Sequence, residues 1–195
     1  MADLSIAVFA SGGGTNLQAL IDALKNGHLH GRIGAVISNN SGAFALERAR
    51  REKIPAFHVS GKLYPDSNDL LQRIFEILSE NGINLIVLAG YMKLLPVEIV
   101  RKYRSRIINI HPALLPKYGG KGMYGMNVHR AVLESGDRIS GATVHLVDEV
   151  YDHGSILIQR TVLVLPDDSP DALAARVLKV EHKILPEAAG MFLCS

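Results

Sequence analysis

The stretch that decides the fold is Leu4-Ser5-Ile6-Ala7-Val8-Phe9-Ala10-Ser11-Gly12-Gly13-Gly14-Thr15-Asn16-Leu17, residues 4–17. Its first six residues form a short apolar run that ends at a glycine cluster, which is typical of a buried strand. Leu17, Leu20, Ile21 and Leu24 follow at the spacing of one helix face, with Asn16 as the expected N-cap. A strand that passes through glycines into a helix indicates the first part of a βαβ unit.

The alternation of strand and helix continues outward from this stretch to residue 110. Apolar runs predict strands at 33–38, 56–59, 83–89 and 106–110, and periodic segments predict helices at 43–51, 70–78 and 96–102. A Pro- and Gly-rich loop over 112–126 leads to a helix at 128–133. Two strands follow, at 141–147 and 156–165, and the last helix spans 169–190. The link between those two strands is short, which favours antiparallel pairing.

This order of elements predicts an α/β protein. We expect a three-layer, mostly parallel, Rossmann-like sheet of about seven strands with an antiparallel C-terminal edge. Neither an internal repeat nor a convincing domain boundary is evident in the sequence. Residues 1–195 are therefore predicted to form a single domain.

Composition limits the setting in which the protein works. The chain has 195 residues, a net charge of +2 and one cysteine, Cys194. So small a charge does not indicate a nucleic-acid partner, and one thiol excludes an internal disulfide and disfavours a cysteine metal site. No apolar run reaches the roughly 18 residues of a membrane span, and no basic segment precedes the first apolar run. We expect a cytoplasmic protein with no metal, no membrane partner and no nucleic-acid partner.

The glycine loop favours binding of one phosphate group. It fails the dinucleotide fingerprint because Leu17 stands where the third glycine would fall, and no acidic residue follows the second strand at 38–40. No Gly-Lys-Ser/Thr follows either, so it is not a Walker loop. Glycines at a helix N-terminus do present bare backbone N–H groups, which suit an anion. The alternative is a tight turn that binds nothing.

The strongest catalytic pattern is Asn109-Ile110-His111 at the predicted end of a parallel strand. Residues two apart on a strand point to the same face, and open α/β sheets bind ligands at this edge. An amide and an imidazole together suit an oxyanion that develops on a tetrahedral carbon. Asp152 is the candidate third member, since a carboxylate raises the pKa of a nearby imidazole. The alternatives are two satisfied polar residues at a strand end and a plain Asp-x-Gly turn.

With these residues in place, the chain resembles the glycinamide ribonucleotide formyltransferases, folate-dependent enzymes of purine synthesis. The resemblance covers essentially the whole chain. It rests on the glycine loop and on residues 38–40, 45–49, 88–95, 109–116, 141–145 and 181–182. The stretch Asn109-Ile110-His111-Pro112-Ala113-Leu114-Leu115-Pro116 is shared by folate formyltransferases and hydrolases generally. The glycine loop points to the ribonucleotide enzymes.

The resemblance implies a reaction. The formyl group of 10-formyltetrahydrofolate, a co-substrate, would pass to the amine of N1-(5-phospho-D-ribosyl)glycinamide, giving formylglycinamide ribonucleotide and tetrahydrofolate. Asn109 and His111 would stabilise the oxyanion, with His111 as proton donor and Asp152 keeping that imidazole charged. Residues 1–110 would then be a phosphate-binding half and residues 111–195 a folate-binding and catalytic half.

The resemblance also implies binding roles. The backbone at Gly14, Thr15 and Asn16 would hold the phosphate, and Glu181 would meet the ribose hydroxyls or the amine. The pterin pocket would be lined by a short segment and the catalytic amide: Met92, Lys93, Leu94, Leu95 and Asn109. The partners would be small molecules, and the protein a monomer or homodimer.

Three departures from the family pattern stand out. Ser155 follows Asp152-His153-Gly154 where relatives often have proline, and the loop over 117–127 is longer than in many relatives. Ser67 stands near the position where relatives have a basic residue that meets the folate tail, and Lys62 is the candidate to replace it.

The alternative functions are a 10-formyltetrahydrofolate hydrolase, expected to have a regulatory domain before the first strand, and a nucleotide-binding module without catalysis. A formyltransferase for initiator methionyl-tRNA would need a further C-terminal domain.

Overall fold

Seven strands form one mixed sheet in the computed structural model of the chain, which describes residues 3–193. The strands are β1 (Ser5–Phe9), β2 (Arg32–Ser38), β3 (Ala56–His58), β4 (Leu85–Leu88), β5 (Ile107–His111), β6 (Ile139–Leu146) and β7 (Ile156–Leu163). The helices are α1 (Thr15–Lys25), α2 (Phe44–Arg51), α3 (Ser67–Glu80), α4 (Val97–Lys102), α5 (Met126–Glu134) and α6 (Pro170–Gly190). The single cysteine of the sequence, Cys194, lies outside the described residues.

The strand order is β3-β2-β1-β4-β5-β6-β7. The first five strands in this order, β3, β2, β1, β4 and β5, are parallel to one another. β6 pairs antiparallel with β5, and β7 pairs antiparallel with β6. The predicted fold class is confirmed. Because the chain moves outward from β1 to β3 and then returns to β4 on the other side of β1, the order reverses between β1 and β4. Open α/β sheets bind their ligands outside the carboxyl ends of the strands at such a point.

Two apolar layers cover the sheet, one on each face. On β1, Ile6 and Val8 pack into the layer that contains α1 and α6, while Ala7 and Phe9 pack into the layer that contains α3. All four side chains are fully buried, which explains why β1 reads as a continuous apolar run rather than an alternating one. This burial fixes the position of the glycine loop that follows.

The predicted N-cap of α1 is wrong. Gly14 occupies that position with a φ of 68°, and no side chain among residues 3–193 caps the helix. A Cβ on Gly14 would lie 2.8 Å from Cα of Ala45, so the approach of α2 requires glycine there as well as the left-handed backbone. Asn16 lies instead in the first turn of α1, and its buried side chain is used elsewhere.

Element ends differ from the prediction by a few residues. The most consequential difference is at β5, which extends through His111 rather than ending at residue 110. His111 therefore pairs with Thr143 across the antiparallel ladder, and Asn109 pairs with His145. Asn109 and His111 thus both lie on the strand, as predicted, while Asp152 lies in the loop between β6 and β7.

Candidate active site

A cavity of about 960 Å³ opens at the carboxyl edge of β4 and β5. It is bounded by the segment after β4, the loop before α5, the loop between β6 and β7, and α6. Most of the residues predicted for the site line it together: Asn16, Met92, Lys93, Leu94, Leu95, Asn109, His111, Asp152 and Glu181. Residues far apart in sequence are thus brought to one place by the return of the chain to β4 and by the packing of α6.

Asp152 lies close to the imidazole of His111, as the sequence suggested. Its Oδ2 is 3.7 Å from Nδ1 of His111, which is ion-pair range rather than a hydrogen bond. Asp152 has a φ of 52°, unusual for a residue other than glycine, and its Oδ2 accepts a 2.9 Å hydrogen bond from the backbone N–H of Gly120. Loop geometry and the Gly120 N–H therefore aim the carboxylate at the histidine.

The pKa of His111 is lowered from its ordinary value, contrary to the expectation that the carboxylate keeps this imidazole charged. Burial has the largest effect and lowers the pKa, because His111 is only 4% exposed. Asp152 and the carbonyl of Tyr118 raise the pKa, the charge of His145 lowers it, and the net shift is downward. In the free protein the imidazole is therefore shifted toward its neutral form.

The neutral tautomer of His111 is set by its neighbours. Nε2 lies 2.7 Å from the carbonyl oxygen of Tyr118. A carbonyl can only accept, so Nε2 carries a hydrogen and Nδ1 keeps a lone pair that faces Asp152. Burial acts to raise the pKa of Asp152, but His145, His111 and the N–H of Gly120 outweigh it and hold that pKa below its ordinary value. The pair is therefore a neutral imidazole beside a carboxylate, ready to accept one proton.

His145 orients the amide of Asn109. Its Nδ1 donates to the carbonyl of Leu146 at 2.7 Å, and its Nε2 lies 3.0 Å from Nδ2 of Asn109, where it accepts whenever the ring is neutral. The second hydrogen on that amide nitrogen has only a long contact, 3.4 Å, with Oδ1 of Asp152. One amide hydrogen is thus fixed by protein and the other is available to a bound oxygen.

The glycine loop presents its N–H groups away from α2. The carbonyl of Gly12 accepts from N–H of Ala45, and the carbonyl of Gly13 accepts from Nε of Arg48 at 2.8 Å. In a trans peptide the N–H points opposite to the carbonyl, so the amides of Gly13 and Gly14 face the other side. A Cβ on Gly12 or Gly13 would meet no atom of the described residues within 4 Å. The fold itself does not require these two glycines.

Thr15 and Gly14 do not line the large cavity. Thr15 lines a separate cleft of about 660 Å³ between α1, α2 and α6. Asn16 is the residue of the loop that reaches the large cavity, where its Nδ2 donates to Oε2 of Glu181 at 2.6 Å. Glu181 is 8% exposed, and burial raises its pKa while Asn16 partly offsets the rise. The buried Oδ1 of Asn16 has no hydrogen-bond partner among the described residues.

The segment after β4 forms an apolar wall. Met92 and Leu94 are 49% and 58% exposed, while Leu95 is buried in the layer that contains α3. The backbone N–H of Met92 donates to Oγ of Ser11 at 2.8 Å. Ser11 precedes the glycines, so this hydrogen bond ties the apolar wall to the glycine loop across the switch point.

Sequence reasoning did not assign three residues that line this cavity, His145, Gly120 and His129. It also did not assign Tyr118, whose backbone carbonyl contacts His111. His145 could have been found from the antiparallel pairing of β5 with β6, which places it directly across from Asn109. His129 is 4% exposed on α5, and both burial and His111 lower its pKa. Within residues 3–193 there is no group of three or more His, Cys, Asp or Glu side chains placed to hold a metal ion.

Fold and site together define a class: a doubly wound α/β protein with a small-molecule cavity at its switch point and a partly buried Asn–His–Asp group at one end. Comparison with known proteins makes the class specific. Residues 4–189 match the family described as formyl transferase, and the chain belongs to that family.

Named relatives agree with this assignment. The chain is 44% identical over 186 residues to the chloroplastic phosphoribosylglycinamide formyltransferase of Arabidopsis thaliana, with 95% of this chain and 64% of the relative aligned. It is 40% identical over 192 residues to phosphoribosylglycinamide formyltransferase of Escherichia coli, covering 97% and 87%. The chain spans 64% and 58% of the length of two plant relatives.

Solved structures give the same picture. Glycinamide ribonucleotide transformylase 1 from Symbiobacterium toebii is similar with a TM-score of 0.91 and 39% identity, covering 98% of this chain and 88% of that chain. A formyltetrahydrofolate deformylase from Pseudomonas syringae has a TM-score of 0.87 at 26% identity, covering 98% and 62%. The fold is thus shared by transferases and deformylases of formyl groups, and identity is higher to the transferase.

Proposed function

We propose that this protein transfers the formyl group of 10-formyltetrahydrofolate to the amine of N1-(5-phospho-D-ribosyl)glycinamide. The observation that carries the proposal is that Asn109, His111 and Asp152 share one cavity with Glu181 and the apolar wall at 92–95. A cavity of about 960 Å³ is at the upper end for a small-molecule site. Two substrates have room in it, one polar and one mostly flat and apolar.

The ribonucleotide is placed by the glycine loop and Glu181. Amides of Gly13 and Gly14 with the open N-terminus of α1 suit the phosphate, because unsatisfied N–H groups there attract an anion. Glu181 and Oδ1 of Asn16, an oxygen with no hydrogen-bond partner in the described part of the chain, are buried acceptors for ribose hydroxyls. This arrangement directs the glycinamide amine along the cavity toward Asn109 and His111.

The folate is placed by the segment Met92 to Leu95. The exposed side chains of Met92 and Leu94 offer apolar contact to a flat ring system. Backbone groups of the same segment, including Lys93, are available for the polar edge of the pterin. The formyl group then lies between Asn109 and the ribonucleotide amine.

In formyl transfer, a proton moves from the amine to N10 of the folate while a C–N bond to the amine replaces the C–N10 bond. The neutral amine forms a C–N bond to the formyl carbon, whose oxygen becomes an oxyanion near the free hydrogen of the Asn109 amide. The amine gives up a proton to Nδ1 of His111, next to Asp152. The charged imidazole stabilises the oxyanion and returns the proton to N10 as the C–N10 bond breaks. His111 is thus neutral in the free protein and a proton donor in the second half of the reaction.

The test is release of tetrahydrofolate from 10-formyltetrahydrofolate by the purified protein. Release that requires the ribonucleotide supports transfer. Release at the same rate without it would identify a hydrolase, the activity that the name of the Pseudomonas relative suggests for that protein. Binding of ribonucleotide with no release at all would indicate a nucleotide-binding module.

We infer the setting from composition and from the kind of cavity. The protein acts in the cytoplasm on small molecules, as a monomer or homodimer, with no metal and no nucleic-acid partner. No helix within residues 3–193 is long and apolar enough to cross a bilayer. As one domain, its first half supplies the phosphate loop and the apolar wall, and its second half supplies His111, Asp152 and Glu181.

A further inference from the structure

Tyr118 contacts the site with its backbone and a remote loop with its side chain. Its φ is 58°, a left-handed conformation that is rare for a tyrosine. In this conformation its carbonyl oxygen lies 2.7 Å from Nε2 of His111. Its hydroxyl donates to Oδ2 of Asp137 at 2.7 Å and also contacts Oγ of Ser135, in the turn that joins α5 to β6.

Asp137 is a strong anchor for this hydroxyl. Its Oδ2 also accepts a 2.5 Å charged hydrogen bond from Nζ of Lys117. Lys117 and the Tyr118 hydroxyl together hold the pKa of Asp137 below its ordinary value, so the acceptor stays charged near neutral pH. The ring of Tyr118 is half-buried and packs on the layer that contains α1 and α6.

The residues after Tyr118 extend its influence to Asp152. A Cβ on Gly119 would lie 2.6 Å from Cδ2 of Leu115 and 3.2 Å from Cβ of Asp152, so the backbone here passes tightly between those side chains. The next residue, Gly120, donates its N–H to Oδ2 of Asp152. One short run, 118–120, therefore holds both members of the histidine–carboxylate pair.

We propose that Tyr118 is a positioning residue whose hydroxyl, fastened to Asp137, holds its own carbonyl against Nε2 of His111 and thereby fixes the ring orientation and tautomer of the catalytic imidazole. The proposal rests on the proposed function only for its effect on rate. Without the anchor, the left-handed backbone relaxes, since the αL conformation is unfavourable for a residue other than glycine. The Nε2–H then loses its fixed acceptor, and Nδ1 is no longer held toward Asp152.

The charged and titratable neighbours of His111 come from three elements. Asp152 faces it from the loop after β6, His145 from β6 itself, and His129 from α5. The Tyr118 carbonyl raises the pKa of His111, so its withdrawal lowers that pKa further while the three neighbours remain. A change in His111 that leaves them in place is therefore attributable to Tyr118.

The experiment compares Tyr118→Phe with Lys117→Met. The first removes only the hydroxyl and keeps the ring packing. The second removes the Lys117–Asp137 ion pair and the contact of Nζ with the Tyr118 ring, and keeps the Tyr118–Asp137 bond. Two readouts are taken: ¹⁵N NMR shifts of the His111 ring in the free protein, and the pH profile of kcat for formyl transfer. The NMR arm needs no substrate, so it decides the proposal even if the transfer activity fails.

For Tyr118→Phe we expect the His111 ring signals to move from a single Nε2–H tautomer toward a tautomeric average. Its titration should shift to lower pH, and kcat should fall about tenfold with little change in KM. Lys117→Met should leave the ring signals and kcat close to native. Asp137→Ala removes the acceptor of the Tyr118 hydroxyl and should change the ring signals and kcat as Tyr118→Phe does. Asp137→Asn keeps an oxygen acceptor there and should retain most of the native kcat and ring signals. Native His111 signals in Tyr118→Phe, with a lower melting temperature only, would reduce Tyr118 to a loop anchor and overturn the proposal.

Discussion

His111 is buried at the end of β5, and its two ring nitrogens have different neighbours. Nε2 is tied to a backbone carbonyl, while Nδ1 faces the carboxylate of Asp152 at 3.7 Å. Burial shifts the ring toward the neutral form, and Asp152 opposes that shift. At the residue scale the site therefore works as a pair that accepts a proton, not as a preformed cation.

Substitution of the pair separates its two members. His111→Ala should abolish nearly all transfer, because both the proton carrier and part of the oxyanion stabilisation are lost. Asp152→Asn should reduce kcat by about 10²-fold or more. Since Asp152 raises the pKa of His111, its removal should also move the ascending limb of kcat/KM against pH to lower pH. Rates measured from pH 5 to 9 check this, with circular dichroism to confirm folding.

Either of two results would contradict these roles. Near-native turnover in His111→Ala would remove the imidazole from the chemistry. A lower rate in Asp152→Asn with an unshifted pH profile would mean that Asp152 shapes the loop without acting on His111.

At the element scale, the junction of β1 with α1 separates glycines that the fold needs from glycines that it does not. Gly14 has a left-handed backbone, and a Cβ there would clash with Ala45. A Cβ on Gly12 or Gly13 would meet no atom of residues 3–193 within 4 Å. Their carbonyls are fastened to α2, which turns the following N–H groups outward. A bound phosphate would require backbone N–H groups that point away from α2 and glycines with free space beside them.

Two matched substitutions test this distinction. Gly13→Ala should change the free energy of unfolding by less than about 1 kcal/mol, because the added methyl has no neighbour within 4 Å among residues 3–193. It should raise KM for the ribonucleotide about tenfold or more, since the methyl occupies the approach to the amides. Gly14→Ala should instead destabilise the fold by about 1–3 kcal/mol. Urea unfolding and ribonucleotide KM are measured for both, and an unchanged KM in Gly13→Ala would remove the phosphate from this loop.

The same scale shows what the sequence can and cannot predict. Short apolar runs that alternate with segments of helical periodicity predict all seven strands and the mostly parallel sheet. These patterns are visible in the sequence because each element must bury its own apolar side chains. The N-cap of α1 is mispredicted as Asn16 because the need for glycine comes from Ala45, on another helix. His145 and Tyr118 go unassigned for a similar reason: their roles depend on strand pairing and on a contact with Asp137.

At the scale of the whole molecule, the switch point between β1 and β4 joins two binding surfaces. Ser11 connects them directly through the N–H of Met92, and Asn16 connects the glycine loop to Glu181 on α6. Buried titratable groups are spread over this architecture. The pKa values of His111, His129 and His182 are all lowered from 6.5, in each case chiefly by burial.

These histidines predict a loss of stability on acidification. Because their pKa values are lower in the folded state, the unfolded chain binds more protons once pH falls below about 6.5. Stability is complete above that pH and declines as pH falls toward the folded-state values. We expect the melting temperature to decrease between pH 7.5 and 5.5, and to decrease less steeply in His129→Leu. Calorimetry across that range measures both slopes.

The exposed His30 provides the control for this comparison. His30→Gln should leave the slope of melting temperature against pH unchanged. Glu181, whose raised pKa acts in the opposite sense, is common to all three proteins and cancels in the comparison. An identical slope in His129→Leu would mean that this imidazole does not couple to folding.

The fate of the formyl carbon tests the central claim most directly. The protein is mixed with 10-formyltetrahydrofolate labelled with ¹³C in the formyl group and with the ribonucleotide, and the reaction is followed by ¹³C NMR. We expect the label to appear as a formamide carbon on the glycinamide nitrogen, in step with tetrahydrofolate release, and to remain on the folate when the ribonucleotide is omitted. Label that accumulates as free formate, with or without the ribonucleotide, would contradict the assignment of this chain as a formyl transferase for the ribonucleotide amine.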